Sequence, residues 1–98
     1  MIRISVYKQG NDMLIGACDE QLLGKTFTDG KFHLHVSEKF YGDSRISLQA
    51  LQQYLKEATI ANLVGEKAVE CAIKLGLVDA SNVLTIQGIP HAQMVRMF

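Results

Sequence analysis

The single proline of the chain, Pro90, is followed by His91 and Gln93, and these residue types could form a polar site. Proline restricts its own backbone φ angle, an imidazole ring titrates near neutral pH, and an amide donates and accepts hydrogen bonds. On such a rigid backbone His91 could titrate or bind a ligand, and Gln93 could contact a polar ligand edge. The alternative is a strand end, where proline blocks further pairing and His91 bonds to backbone.

A second cluster of polar residues is predicted at the entry of a helix. It consists of Thr59, Asn62, Gly65 and Glu66. The free N–H groups of a helix N-terminus can bind a phosphate or a carboxylate. Capping by Asn62 or Thr59, with Glu66 favoured by the helix dipole, is the simpler interpretation. Glu66 would also repel an anion, which weakens the ligand interpretation.

Nucleophilic catalysis is a third hypothesis, based on Cys18 and His91. A thiol beside a helix start can have a lowered pKa and act as a nucleophile with a histidine as base. Asp19 follows Cys18 directly and is predicted to cap a short helical turn. The alternative function is therefore a small ligand- or metal-dependent enzyme built on His91 with Cys18, Asp19 or Glu66.

Metal binding rests on the other two histidines. His33 and His35 alternate along a predicted strand, so they share one face, and with Cys18 or His91 they could ligate zinc. Two alternating histidines on a wet strand face are usually solvated, and no CxxC pair occurs, which excludes a zinc ribbon and a thioredoxin-like motif. Cys18 and Cys71 are interpreted as reduced core thiols. We predict no metal and no cofactor.

The composition is that of a folded domain without a concentrated basic region. Hydrophobic residues make up 48% and charged residues 20%, and the formal net charge is zero. Because counterion release supplies most of the affinity for nucleic acid, scattered lysines and arginines argue against direct tight binding to it. The sequence contains no signal peptide and no apolar run of transmembrane length, so we predict a cytoplasmic protein without membrane contact.

The first third of the chain is predicted to form strands. Alternation predicts a strand over residues 2–7. Gly10–Asp12 is predicted to be a turn, and residues 13–17 to follow it as the hairpin partner. Asp19 then caps a helical turn over residues 20–23, and a third strand covers residues 31–36.

Helical periodicity begins near residue 46. Ser47 is predicted to cap a helix with an apolar stripe. A second helix is predicted from about Asn62 to Leu75, with Gly76 as its stop, and residues 83–86 return as a strand. Residues 1–98 thus form a single α+β domain: a mainly antiparallel β-sheet from the N-terminal strands and a C-terminal strand, with a two-helix layer on one face.

Two further segments could make contacts. Tyr41, within Phe40–Asp43, could stack on a base or on a partner side chain, although a core phenylalanine followed by a glycine turn is the simpler interpretation. The apolar C-terminal tail could close the sheet or form a homo-oligomer contact. Its apolar residues are Met94, Val95, Met97 and Phe98.

Four blocks of the sequence resemble an archaeal family of short proteins known only as a domain of unknown function (four-two-four). The blocks are Ala17–Lys25, Phe40–Gly42, Ala58–Glu70 and Ile89–Gln93. The family pattern has a second glycine where this chain has Asp43. The resemblance implies an archaeal cytoplasmic protein with a loose association with translation genes, and it implies no established activity.

The favoured function is an interaction module, an accessory factor associated with translation that binds a protein or a ribonucleoprotein. It would contact its partner through residues 90–93 and the start of the second predicted helix, since no recognised catalytic motif occurs. The candidate binding residues are Pro90, His91, Gln93, Thr59, Asn62, Gly65, Glu66, Asp19 and Tyr41.

Overall fold

The computed structural model describes residues 1–96 and contains eight strands and three helices within that range. In chain order these are β1 (Ile2–Gln9), β2 (Asp12–Asp19), β3 (Thr26–Asp29), β4 (Phe32–His35), α1 (Glu38–Tyr41), β5 (Ser44–Ile46), α2 (Leu48–Glu57), β6 (Ile60–Val64), α3 (Glu66–Lys74), β7 (Leu84–Ile86) and β8 (Ile89–Val95). Short 3-10 turns occupy Glu20–Leu22 and Ala80–Asn82.

Six of the strands form one sheet with the order β5-β1-β2-β6-β8-β7. β2 and β6 are parallel, and all other neighbours in this sheet are antiparallel. A parallel pair needs a long crossover connection. In the connection from β2 to β6, α2 is the last element and leads the chain back into the sheet at β6. β3 and β4 form a separate two-stranded sheet. The predicted α+β class is confirmed.

One face of the large sheet, which we call the helix face, packs against α2 and α3. Alternate strand residues such as Ile4, Ile15 and Leu63 are fully or almost fully buried there against Leu51 and Leu55 of α2. α2 begins at the predicted cap, because the Ser47 hydroxyl accepts a hydrogen bond from the Ala50 N–H at 3.1 Å. The helix face therefore holds the larger hydrophobic core.

The opposite face is only partly covered. The β3–β4 hairpin and α1 pack over Cys18 and Val64 and form a smaller core. Gly16 of β2 permits the approach of α1, since a Cβ atom there would lie 2.7 Å from both the ring and the carbonyl oxygen of Phe40. The rest of this face carries no covering element from residues 1–96, and we call it the open face.

The predicted start of the second helix is wrong. Residues 60–64 form β6, and α3 begins only at Glu66. Ala61 and Leu63 point to the helix face, so the segment has the period of a strand, and its apolar residues also fit a helical stripe that continues into α3. Gly65, with a φ angle of 106°, makes the break between the two elements.

The predicted single C-terminal strand is incomplete. β7 is followed by a tight turn at Gln87 and Gly88 and by the longer strand β8, which lies inside the sheet between β6 and β7. The third-strand prediction covers β4 but omits its partner β3. Met97 and Phe98 of the predicted tail lie outside the described residues. In the part of the chain that the structure describes, no helix is long and apolar enough to cross a membrane.

Candidate contact surface

Pro90 is the second residue of β8, and pairing continues beyond it as far as Val95. Its carbonyl oxygen accepts a hydrogen bond from the Gly65 N–H at 2.9 Å, so its own missing N–H would have pointed to the Gly65 carbonyl. That carbonyl instead accepts from the Val69 N–H at 3.0 Å, in the first turn of α3. A proline is tolerated in an interior strand here because the helix start uses the acceptor that the strand would otherwise have used.

The residues of the 90–93 segment are divided between the two faces of the sheet. Pro90 lies on the helix face, where it lines a cavity of ≈ 420 Å³ together with Glu66. His91 and Gln93 lie on the open face, where both line a second cavity of ≈ 460 Å³. Successive strand residues alternate between faces, so Pro90 and His91 cannot contribute side chains to one pocket.

Asn62 lies beside this segment through strand pairing rather than through a helix start. Asn62 of β6 lies directly opposite Gln93 of β8, and Val64 lies opposite His91. Opposed side chains on neighbouring antiparallel strands are about 4.5–5.5 Å apart at Cβ. Burial lowers the pKa of His91, so the ring is neutral at pH 7 and presents one donor and one acceptor. Asn62, His91 and Gln93, which we call the polar triad, therefore share the open face.

An apolar row lies beside the polar triad and was not predicted. Tyr7 of β1, Leu14 of β2, Ile60 of β6 and Val95 of β8 are consecutive cross-strand partners. Tyr7 is 43% exposed and Val95 is 66% exposed. Tyr7 also stacks on Phe40 of α1 at a centroid distance of 5.8 Å. The four side chains form a continuous apolar row across four adjacent strands of the open face.

Asp19 has a structural role that differs from the predicted one. Its side chain makes no capping bond to the turn at Glu20–Leu22. The buried carboxylate instead accepts hydrogen bonds from the Lys67 N–H at 3.0 Å and the Ala68 N–H at 2.9 Å, at the start of α3. Asp19 supplies the cap that Gly65, the residue before the helix, cannot supply.

Two further candidates, Thr59 and Tyr41, are engaged inside the protein. The buried Thr59 hydroxyl accepts from the Met13 N–H at 2.9 Å and donates to the Met13 carbonyl oxygen at 3.2 Å. Tyr41 is buried in the smaller core, where its ring packs edge-on against Phe40. Neither side chain is available to stack on a base or to reach a partner.

The residues of the enzyme hypothesis do not converge. Asp19 and Glu66 belong to the helix face, whereas Cys18 is buried in the smaller core and His91 lies on the open face. Val64 of the intervening strand lies between Cys18 and His91. At about 4.8 Å between strands, two strand spacings exceed hydrogen-bond reach. Burial raises the pKa of the Cys18 thiol to about 12, which disfavours the thiolate that a nucleophile needs.

We expect the Cys18 thiol to be inert in the folded protein. At pH 8 a thiol-specific disulfide reagent should label Cys18 only after unfolding, because the side chain has no exposure and the high pKa leaves it protonated. Labelling of the Cys71→Ser variant in buffer and in denaturant, followed by absorbance, isolates Cys18. Fast labelling in buffer would restore the nucleophile hypothesis.

The two histidines of β4 are exposed. The His35 Nδ1 atom lies 2.8 Å from the Thr26 hydroxyl, across the β3–β4 hairpin. Among residues 1–96 no group of three or more histidine, cysteine, aspartate or glutamate side chains is arranged to hold a metal ion. Within that range, His33 and His35 therefore remain hairpin surface residues without further ligands from Cys18 or His91.

Comparisons with known proteins agree with this geometry in fold and leave the function open. A solved structure of an uncharacterized conserved protein from Methanopyrus kandleri is similar to this chain, with a TM-score of 0.76 and 23% sequence identity over 99% of this chain and 94% of that one. No curated protein matches. The sequence model described as a protein of unknown function (DUF424) matches residues 7–97. The chain therefore belongs to the DUF424 family.

Proposed function

We propose that this protein is a protein-binding module whose contact surface is the open face of the sheet, formed by the apolar row and the polar triad. The observation that carries the proposal is the apolar row, which crosses four strands and is exposed at its two ends, Tyr7 and Val95. Among residues 1–96, Phe40 of α1 packs beside the row at Tyr7. Leu14 and Ile60, in the middle of the row, are half-buried. A continuous apolar row with exposed ends and polar side chains at its rim is typical of interaction sites.

The chemistry of the surface favours a protein partner over nucleic acid. Tyr7, Leu14 and Ile60 line a cavity of ≈ 400 Å³. Its other lining residues are Gln9, Asp12 and Phe40, so none of the residues around this cavity is cationic. A nucleic-acid surface needs lysine or arginine to contact phosphates. Aromatic and aliphatic anchors with amides at the rim suit an apolar protein surface that carries a few hydrogen-bonding groups.

The polar triad supplies the directional part of the proposed contact. Asn62 and Gln93 each present a donor and an acceptor, and the neutral His91 ring adds one of each. Pro90 and Gly65 belong to the frame that fixes β8 beside α3, and Glu66 lines the helix-face cavity next to Pro90. We propose that these residues support the surface, and that only the residues of the apolar row and the polar triad contact the partner.

The identity of the partner is proposed from the family resemblance alone. That resemblance suggests a cytoplasmic archaeal protein and a translation component as its partner. Sedimentation of a gently lysed host extract, followed by immunodetection across ribosomal fractions, tests this partner class. At low salt the protein should travel with ribosomal particles, and detection in free fractions only would reject the translation partner.

A pair of variants tests the surface independently of the partner class. The double variant Ile60→Ser/Val95→Ser should no longer bind in the complex that the wild type forms, because both changes remove apolar contact area from the apolar row. Phe32→Ser is the matched control, since Phe32 is 54% exposed on the β3–β4 hairpin, away from the row. Equal retention of both variants in the complex would reject the open face as the contact surface.

A further inference from the structure

The interior strand β8 has a free edge along part of its length. β7 pairs only with residues 89–91 of β8, whereas β6 pairs with residues 91–95. Residues 80–82, which precede β7, form a 3-10 turn instead of continuing the strand. Among residues 1–96, no strand lies beside residues 93–95 on the β7 side.

The hydrogen-bond pattern shows which backbone groups are free at this edge. The Gly65 N–H donates to the Pro90 carbonyl oxygen, and the Arg96 N–H donates to the Thr59 carbonyl oxygen, so the even-numbered residues of β8 bond to β6. The odd-numbered residues then point to the β7 side. Gln93 and Val95 each direct an N–H and a C=O outward, beyond the end of β7.

We propose that two copies of this chain pair through these groups, with β8 antiparallel to β8 of the second copy and Met94 on the two-fold axis. In this register Gln93 faces Val95 of the second copy, and Val95 faces its Gln93. Both pairs are hydrogen-bonded pairs, so all the outward groups of the two residues are satisfied at once. The pairing ends where β7 begins, which is the point at which the free edge ends.

The side chains at this edge are compatible with pairing. Exposed edges are usually protected by charge, by proline or by short length, and β5 at the other end of the sheet has three residues and an Arg45–Glu20 ion pair. Arg96, the residue that follows β8, is turned to the helix face, where it donates to the carbonyl oxygens of Leu55 and Lys56. The free edge of β8 is also short, but neither Gln93 nor Val95 is charged or a proline, so charge and proline do not protect it.

The two-fold axis would be perpendicular to the sheet, so the open faces of both copies would lie on the same side. Val95 would stand beside Gln93 of the second copy, and the apolar rows and polar triads would form one surface of twice the extent. The dimer does not depend on the proposed function, because its test measures self-association of the purified protein with no other partner present.

Sedimentation equilibrium of the purified protein over roughly 10 μM to 1 mM tests the dimer. The weight-average mass should rise toward that of two chains. Val95→Pro should remain monomeric, because it removes an outward N–H that pairing requires, whereas Val95→Ser keeps that N–H and should still dimerise. A wild type that stays monomeric, or a Val95→Pro variant that dimerises like wild type, would overturn the proposal.

Amide hydrogen exchange of the wild type gives a second readout that needs no variant. The Gln93 and Val95 amides should exchange severalfold more slowly at high than at low protein concentration. The Thr85 amide is the control, because Thr85 faces Pro90 in a non-hydrogen-bonded pair and its N–H points outward from β7. Unchanged rates at Gln93 and Val95, or equal slowing at Thr85, would contradict pairing through this edge.

Discussion

Gly65→Ala is expected to lower the free energy of unfolding by roughly 3–5 kcal/mol, a large fraction of the stability of a small domain. Two causes add. The backbone of Gly65 has φ 106° and ψ 157°, a region that is essentially restricted to glycine. A Cβ atom would also lie 2.7 Å from Oδ1 and 2.8 Å from Cβ of Asp19. Urea denaturation followed by circular dichroism measures the loss.

Gly76→Ala is the matched control. Gly76 also has a positive φ angle, 75°, but a Cβ atom there would meet nothing within 4 Å. Only the backbone term applies, so the expected loss is about 1–2 kcal/mol. If both alanine variants lost the same unfolding free energy, the close approach between Gly65 and Asp19 would contribute nothing to the loss in Gly65→Ala.

Asp19→Ala is expected to cost about 3 kcal/mol of unfolding free energy, because it leaves one buried and one part-buried N–H group at the start of α3 without an acceptor. These are the N–H groups of Lys67 and Ala68. Asp19→Asn keeps one acceptor oxygen and a similar volume, so its loss should be smaller.

The amides of α3 provide the diagnostic readout for Asp19. Exchange at Lys67 and Ala68 should accelerate in Asp19→Ala relative to the rest of α3, beyond what the global loss of stability explains. A cap with no energetic role would leave unfolding free energy and local exchange unchanged in both variants, and would refute the structural assignment of Asp19.

Local signals in the sequence predicted the elements that depend on local interactions. The β1–β2 hairpin follows from the alternation of residues 2–7 and from the turn at Gly10–Asp12, and α2 follows from Ser47 and the apolar stripe behind it. β6 was misread because an apolar strand that runs directly into a helix has no turn of several residues between them. A single glycine, Gly65, makes that break, and its φ angle is visible only in the structure.

The polar residues of the candidate site were predicted, but their arrangement was not. His91, Gln93 and Asn62 were selected for the chemistry of their side chains. The helix predicted to begin at Asn62 begins instead at Glu66, so a helix start does not bring these three residues together. They meet through the β6–β8 register, which a single sequence does not specify. The apolar row was missed for the same reason, because Leu14, Ile60 and Val95 become neighbours only when three strands are aligned.

The most direct test of the protein-binding surface is site-specific photo-crosslinking in the host extract, with Val95→p-benzoylphenylalanine compared with Phe32→p-benzoylphenylalanine. Both positions are exposed, and only Val95 lies in the apolar row. We predict a discrete product between position 95 and a different protein, identified by mass spectrometry, that is absent from position 32 and reduced by Ile60→Ser. A product with a second copy alone, the same products from both positions, or none from position 95 would contradict the proposed function.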